Sequence, residues 1–203
     1  MHQIIAPLVF ALSLFGSDPS ALTQRIDRAS ASIVRITGTK TVETFLGPAE
    51  RPYVCTGFVI APARVATAAH CLGTALRVDG VPPVELLATS AFYDLALLRV
   101  ETTKPILPIR PTAIRRFERV IGLGYGYGWT RLTTTFHRVM LVNHLIDPEL
   151  PPGLVVQAGY IGGMSGGPVI DAKGYLVGMV QRSNAQIGYG VGLDILRAFL
   201  LGL

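Results

Sequence analysis

The chain has 203 residues, of which 50% are hydrophobic and 15% are charged. This composition can bury one sizeable core or two small ones, and it excludes an intrinsically disordered chain. The formal net charge is +5 at pH 7. Only the stretch 109–119 gathers basic residues, and no nucleic-acid-binding motif accompanies it, so a solvated linker is favoured over a nucleic-acid patch. We therefore expect no nucleic-acid partner.

The amino-terminal segment contains an apolar run over residues 4–15, which is too short to cross a bilayer as a helix. Its length fits the apolar part of a secretory signal, although it lacks a basic start and a clean cleavage site. We predict a leader over residues 1–21 and an exported protein, secreted or periplasmic. The alternatives are an apolar segment packed on the domain and a short membrane-associating anchor. No other stretch predicts a membrane span.

The rest of the chain, residues 22–203, is predicted to be all-β. Twenty-two glycines and fourteen prolines separate short apolar runs, a pattern typical of strands joined by turns. Prolines at 105, 108 and 111 disfavour both helix and central strand, so residues 104–118 are predicted to link two small antiparallel barrels, 30–103 and 119–203. Apolar residues at helical spacing predict a short helix from residue 193. The predicted strands are 32–37, 53–60, 64–69, 84–88, 94–100, 119–123, 136–142, 153–157, 176–182 and 187–193.

The two cysteines, Cys55 and Cys71, flank a predicted hairpin and could face each other across it. In an exported protein they would form a disulfide worth about 3 kcal/mol, whereas in a reducing compartment they would be two buried thiols. Cysteines and histidines lack the usual spacing of metal ligands, so no metal site is predicted.

Ser165 lies in the glycine-rich stretch "IGGMSGGPVI". Taken alone, this stretch is more typical of a tight turn than of a nucleophile. A nucleophilic serine needs a base to take its proton and an acid to orient that base. His70, at the end of a predicted strand, and Asp94, at the start of another, are the candidates. Each of them alone favours an ordinary structural role.

Together, "TAAHC", "DLALL" and "GMSGGPV", in the order His, Asp, Ser, resemble the chymotrypsin/trypsin superfamily of serine proteases, from about Ser32 to the terminal helix. The resemblance implies two six-stranded antiparallel β-barrels and a serine endopeptidase without cofactor, acting as a monomer on proteins or peptides. It makes Ser165 the nucleophile, His70 the general base and then acid, and Asp94 the orienting carboxylate. The backbone N–H groups of Gly163 and Ser165 would form the oxyanion hole.

Met164 departs from the pattern of cleavage-activated members, which carry an aspartate before the nucleophile. A thioether cannot hold the ammonium of a newly freed amino terminus, so we predict that zymogen activation by cleavage is absent. In this respect the chain resembles the bacterial high-temperature-requirement and glutamyl-endopeptidase branches. The oxyanion loop must then be held by packing or ordered by ligand.

The resemblance also implies the residues that line the substrate cleft. Gln181 replaces a serine that often supports the aspartate, which leaves the geometry around Asp94 open. No acid stands at the base of the predicted specificity pocket, so preference for Lys or Arg is not expected. A catalytically inactive binding module and an esterase with the same triad remain alternatives. The predicted substrate-binding residues are Gly159, Tyr160, Gln181, Arg182, Ser183 and Gly190.

Overall fold

The computed structural model describes residues 18–83, 85–128, 130–145, 151–184 and 186–201. Two six-stranded antiparallel sheets follow each other along the chain, and a short helix ends the described part. The predicted all-β class and the carboxy-terminal helix are therefore confirmed. Residues 1–17, most of the predicted leader, lie outside the described residues.

The first sheet is an open half-barrel with the order β4-β1-β2-β3-β6-β5. Its inner face buries a row of aliphatic side chains around Phe58, which is completely inaccessible to solvent. Burial of this kind contributes about 25 cal/mol for each Å² of apolar surface removed from water. The six strands β1 to β6 span Ile33–Thr44, Gly47–Ala61, Arg64–Thr67, Thr74–Val78, Glu85–Ser90 and Leu95–Arg99.

The second sheet closes into a barrel with the order β10-β11-β12-β9-β8-β7. Closure pairs β7 with both β8 and β10, so the barrel has no free edge. Helix α2, Leu193–Leu201, follows directly and packs on β11 and β12. The strands β7 to β12 span Arg119–Gly124, Thr133–His144, Gly153–Gln157, Pro168–Asp171, Leu176–Ser183 and Ile187–Gly192.

An amino-terminal helix, α1, spans Pro19–Ser30 and was not predicted. Asp18 caps it by accepting the Ser20 N–H at 2.9 Å, and Pro19 occupies its first turn, where a missing N–H costs nothing. Leu22 is fully buried and anchors the helix in the core of the first sheet. The helix begins inside the segment predicted as leader, and its cap signal was overlooked there.

Two of the twelve strands were also missed. β4 carries an apolar and polar mixture whose side chains are mostly exposed, so it has no clear period. β10 is only four residues long and starts at Pro168, directly after the glycine-rich turn. Proline at the first residue of a strand is tolerated because no ladder hydrogen bond is lost there.

The segment predicted as linker ties the two sheets together. Leu107 is fully buried and its N–H donates to Val59 O of the first sheet at 2.9 Å. Pro108 O accepts the Leu176 N–H of the barrel at 2.8 Å. The sheets therefore meet along a seam that this segment closes on one side. Among the described residues, no helix has the length and apolar character needed to cross a membrane.

Candidate active site

His70 and Asp94 meet at the end of the first sheet. The His70 Nδ1 lies 2.7 Å from Asp94 Oδ2, and the His70 backbone N–H donates to Oδ1 at 2.8 Å. Because an ionised carboxylate can only accept, Nδ1 carries the proton and Nε2 is left as the free acceptor of the neutral ring. The His70 side chain is 41% exposed and that of Asp94 only 11%. A shielded acid thus orients an imidazole that faces solvent.

Backbone geometry holds this pair in place. His70 lies in a single 3₁₀ turn, Ala69–Cys71, whose first N–H donates to Asp94 O at 3.1 Å. Asp94 has φ of +50°, a left-handed conformation that aspartate adopts at a cost of about 1 kcal/mol. Its N–H donates to Ala91 O at 3.2 Å, which closes the turn before β6. Both the main chain and the side chain of Asp94 therefore fix the histidine.

The predicted disulfide between Cys55 and Cys71 is confirmed, with the two Cα atoms 6.0 Å apart. It joins β2 to the turn that carries His70. The two sulfurs and a ring nitrogen of His70 lie within 4.8 Å of one another. The bonded sulfurs are not thiolates, so this group offers a metal only one strong ligand. The role of the disulfide is to anchor the turn that carries His70.

Ser165 reaches the same place from the barrel. Its carbonyl oxygen accepts the Thr56 N–H at 2.9 Å and lies 3.6 Å from Cys71 Sγ, beside the histidine turn. Its hydroxyl donates to Gln181 O at 3.1 Å. Within the described residues, the hydroxyl makes no hydrogen bond to His70. The structure thus brings the three predicted catalytic residues to the seam, with the serine hydroxyl directed towards β11.

The turn before Ser165, residues 161–164, is tight and contains the predicted oxyanion-hole residue Gly163. Met164 N–H donates to Ile161 O at 3.0 Å, and Gly163 has φ of +96°, as in a type II turn. A Cβ atom on Gly163 would lie 2.3 Å from Tyr125 O, so only glycine fits. Among the described hydrogen bonds, neither the Gly163 N–H nor the Ser165 N–H is engaged. Two backbone donors therefore remain available beside the serine.

Comparison with known families bears on these residues. A family model described as the trypsin-like peptidase domain matches residues 55–179. The chain belongs to this family. No curated protein sequence matches the chain significantly.

Solved structures of similar fold agree with this membership. The active form of the Rv3671c protease from M. tuberculosis aligns with a TM-score of 0.74 and 24% identity, covering 91% of this chain and 86% of that one. The inactive form of the same protease gives 0.67 and 24%, covering 91% and 95%. The HtrA-type protease AlgW with a decapeptide gives 0.74 and 17%, covering 88% and 66%. At these identities the likeness shows the fold.

In this trypsin-like peptidase, packing around Met164 holds the turn before Ser165. The methionine is fully buried in the barrel core, with its sulfur 4.0 Å from Thr135 Oγ1. Gly124 is in direct contact, because a Cβ atom there would lie 2.9 Å from Met164 Cα. Buried Thr56 adds two hydrogen bonds, from its Oγ1 to Gly163 O at 2.8 Å and from Tyr125 N–H to that Oγ1 at 2.9 Å. The turn therefore needs no buried ion pair.

Gln181 links the two halves of the site. It lies at a bulge of β11, where the register with β12 shifts between Val180 and Arg182. Its side-chain Nε2 donates to Tyr93 O at 2.5 Å, next to Asp94, while its own carbonyl accepts the Ser165 hydroxyl. Gln181 is buried. The amide thus supports the carboxylate through the preceding peptide, not by direct contact with Asp94.

The predicted specificity residues occupy different environments. Gly159 is in tight contact with the end of β11, because a Cβ atom there would lie 2.0 Å from Asn184 O. The Tyr160 ring turns into the barrel, where it packs between Gly122 and Gly188. Complete burial raises the pKa of the Tyr160 hydroxyl. This ring is therefore part of the barrel core, and a role for Tyr160 in substrate binding stays a prediction.

The remaining predicted contacts lie along β11 and β12. Arg182 and Ser183 are exposed at the open end of β11, whereas Gly190 is buried against Met179. A cavity of about 600 Å³ lies beside His70 and Asp94 and is also lined by Arg182. The role of these residues in substrate binding stays a prediction.

His137, which the sequence analysis did not single out as functional, is a buried group next to Tyr160. Their ring centroids are 4.6 Å apart in an edge-to-face arrangement. His137 Nδ1 donates to Gln157 O at 3.1 Å, and Nε2 lies 2.8 Å from Thr135 Oγ1. Desolvation by burial lowers the pKa of His137. His137 therefore packs inside the barrel beside Tyr160, and no sequence motif singled it out.

Proposed function

We propose that this trypsin-like peptidase is a serine endopeptidase acting through a covalent acyl-enzyme. The observation that carries the proposal is the His70 and Asp94 pair, which leaves Nε2 as a free acceptor on the turn that Ser165 O approaches, together with two unengaged backbone N–H groups. Such a constellation can deprotonate an alcohol and stabilise the resulting tetrahedral oxyanion. The order of the three residues along the chain supports the same assignment.

The mechanism requires the Ser165 hydroxyl to leave Gln181 O and donate to His70 Nε2. The hydroxyl oxygen then attacks the scissile carbonyl while its proton moves to Nε2, and the imidazolium is stabilised by Asp94. The N–H groups of Gly163 and Ser165 hold the oxyanion, a contribution of roughly 3–4 kcal/mol for each donor. The imidazolium next protonates the leaving amine. A water molecule attacks the acyl-enzyme by the same route and regenerates the serine.

The protease is exported, to the cell surroundings or the periplasm, and it needs no cleavage to become active. The disulfide supports the first statement, since such bonds persist in oxidising compartments. The buried Met164 supports the second. Ile33, the residue nearest to a family-like new amino terminus, is itself buried and paired with Phe58 in the first sheet. Freeing it would dismantle β1.

Hydrolysis of a peptide library by the intact protein tests the proposal. We expect endopeptidase cleavage that Ser165→Ala abolishes and Ser30→Ala, in helix α1, leaves unchanged. Cleavage chiefly after Lys or Arg would contradict the assignment of the specificity pocket. Hydrolysis of simple esters without any peptide cleavage would favour an esterase.

A binding module is the second candidate, and one observation favours it. The Ser165 hydroxyl donates to Gln181 O, not to His70. If this bond persisted with substrate, the nucleophile would stay unactivated. Binding of peptides without turnover by a folded wild-type protein would support that reading.

A further inference from the structure

The hairpin of β1 and β2 extends well beyond the sheet that it belongs to. The last pair between β1 and β4 is Thr39 with Thr74, and pairing of β2 with β3 begins only at Gly57. Residues 40–51, here called the arm, therefore pair only with each other among the described residues. An isolated two-stranded ribbon is only marginally stable in water, so the arm needs stabilising contacts with other parts of the protein.

The arm is supported at its root by the catalytic elements. Lys40 Nζ donates to His70 O and lies 4.7 Å from the Tyr53 ring centre. The Tyr53 hydroxyl donates to Cys71 O at 2.6 Å. These contacts fasten both strands of the β1–β2 hairpin, at the root of the arm, to the turn that carries His70. The arm is therefore fixed at its base to the candidate active site.

The tip of the arm presents two apolar side chains to solvent. Phe45 and Leu46 are 104% and 94% exposed, more than any other large hydrophobic residue that the structure describes. The tip is ordered, since Thr44 Oγ1 donates to Gly47 O at 2.7 Å and Gly47 has φ of +103°. Hairpin turns normally carry small polar residues. An ordered turn that exposes Phe and Leu indicates a binding function.

The position of the arm indicates which part of a substrate it can meet. Ser165 lies between two features of the site: Gln181 on β11, and Thr56 with the disulfide. The arm is rooted at the second of these features, on the turn that the disulfide joins to β2. Five residues separate Lys40 from the tip, about 17 Å of strand. An extended substrate covers about the same distance in five or six residues.

We infer that Phe45 and Leu46 bind an apolar segment of an unfolded polypeptide substrate. This inference rests on the proposed endopeptidase function and adds to it a substrate class, chains with apolar residues about five or six positions from the cleaved bond. Two side chains offer far less than the roughly 800 Å² per partner of a stable dimer interface. Lys40 and Arg51 balance Glu43 and Glu50 in the arm, so it offers no net charge to attract an anionic membrane surface.

Binding of reduced, carboxymethylated α-lactalbumin, labelled with fluorescein, tests the inference in a Ser165→Ala background that cannot cleave it. We expect Phe45→Ser with Leu46→Ser to raise the Kd about tenfold. The matched control is Val81→Ser with Phe117→Ser, two exposed apolar residues outside the arm and the site, which should leave the Kd unchanged. An equal Kd for the arm variant and its background would overturn the inference.

Two further measurements identify other occupants of the tip. Dissociation of an oligomer by the arm substitutions in sedimentation velocity would assign the tip to a second copy. Loss of binding to phosphatidylcholine vesicles would assign it to a membrane, and either result would overturn the inference. Failure of the proposed function can be distinguished from failure of this inference. If the endopeptidase function is wrong, Ser165 of the wild-type protein does not react with a fluorophosphonate. The binding measurement decides the role of the arm in either case.

Discussion

Replacing Gln181 with methionine tests how the two halves of the site are held together. The substitution keeps the length and apolar volume of the side chain but removes the amide that donates to Tyr93 O. Losing one partner of a buried hydrogen bond costs about 1–3 kcal/mol. Asp94 follows Tyr93 directly and is held in a left-handed conformation, so movement of that peptide carries the carboxylate with it.

We expect kcat/KM of Gln181→Met to fall about 10-fold to 100-fold, which corresponds to about 1.4–2.7 kcal/mol of transition-state stabilisation. The loss should appear in kcat with little change in KM, because orientation of His70 matters most as charge develops in the transition state. Steady-state kinetics on a peptide identified by library screening, well below the melting temperature, measure both constants.

Gln157→Met is the matched control, since this glutamine has an exposed side chain on β9 and only its backbone carbonyl contacts His137. It should keep wild-type kinetics. The reasoning is refuted if Gln181→Met lowers the melting temperature yet retains kcat within twofold of wild type, because Gln181 would then be structural only.

Three other predictions concern the support of the site. Met164→Asp buries an unpaired charge and should lower the free energy of unfolding by more than about 3 kcal/mol in urea titrations. Met140→Asp changes a partly exposed position and should have little effect. Equal losses for the two variants would contradict packing as the support of the turn. Removing the Cys55 to Cys71 disulfide should cost about 3 kcal/mol, measured with and without reductant, and unchanged stability would contradict it. Because burial lowers the pKa of His137 in the folded protein, the unfolded chain binds a proton at this residue at higher pH than the folded protein does. The stability contributed by the buried His137 ring is therefore complete above about pH 6.5 and is lost as pH falls. His137→Gln should therefore reduce the loss of melting temperature between pH 7.5 and 5, and parallel curves would argue against a buried neutral imidazole.

Sequence reasoning was most successful where a residue type is demanded by local chemistry. The glycines around Ser165 were singled out because glycine marks sharp bends or close approaches of the backbone, and a Cβ atom on Gly163 would indeed meet Tyr125 O. The disulfide followed from two cysteines at the ends of a predicted hairpin. The two six-stranded units followed from turn residues and from the family resemblance.

Contacts that depend on distant parts of the chain were not predictable in the same way. Gln181 was expected to approach Asp94, but a bulge in β11 directs its amide to the preceding carbonyl. The packing of the Tyr160 ring inside the barrel could not be foreseen, because glycines on two other strands open the space for it. The arm was not predicted, since the predicted strands end at residue 37 and resume at residue 53, and its polar faces lack the alternation of a half-buried strand.

The most direct test of the account is the reaction of the folded wild-type protein with a fluorophosphonate, with the modified residue located by mass spectrometry. The account predicts a single adduct on Ser165, absent from Ser165→Ala and formed far more slowly by His70→Ala. An unlabelled wild-type protein, or an adduct on another residue, would contradict the assignment of Ser165 as a nucleophile activated by His70.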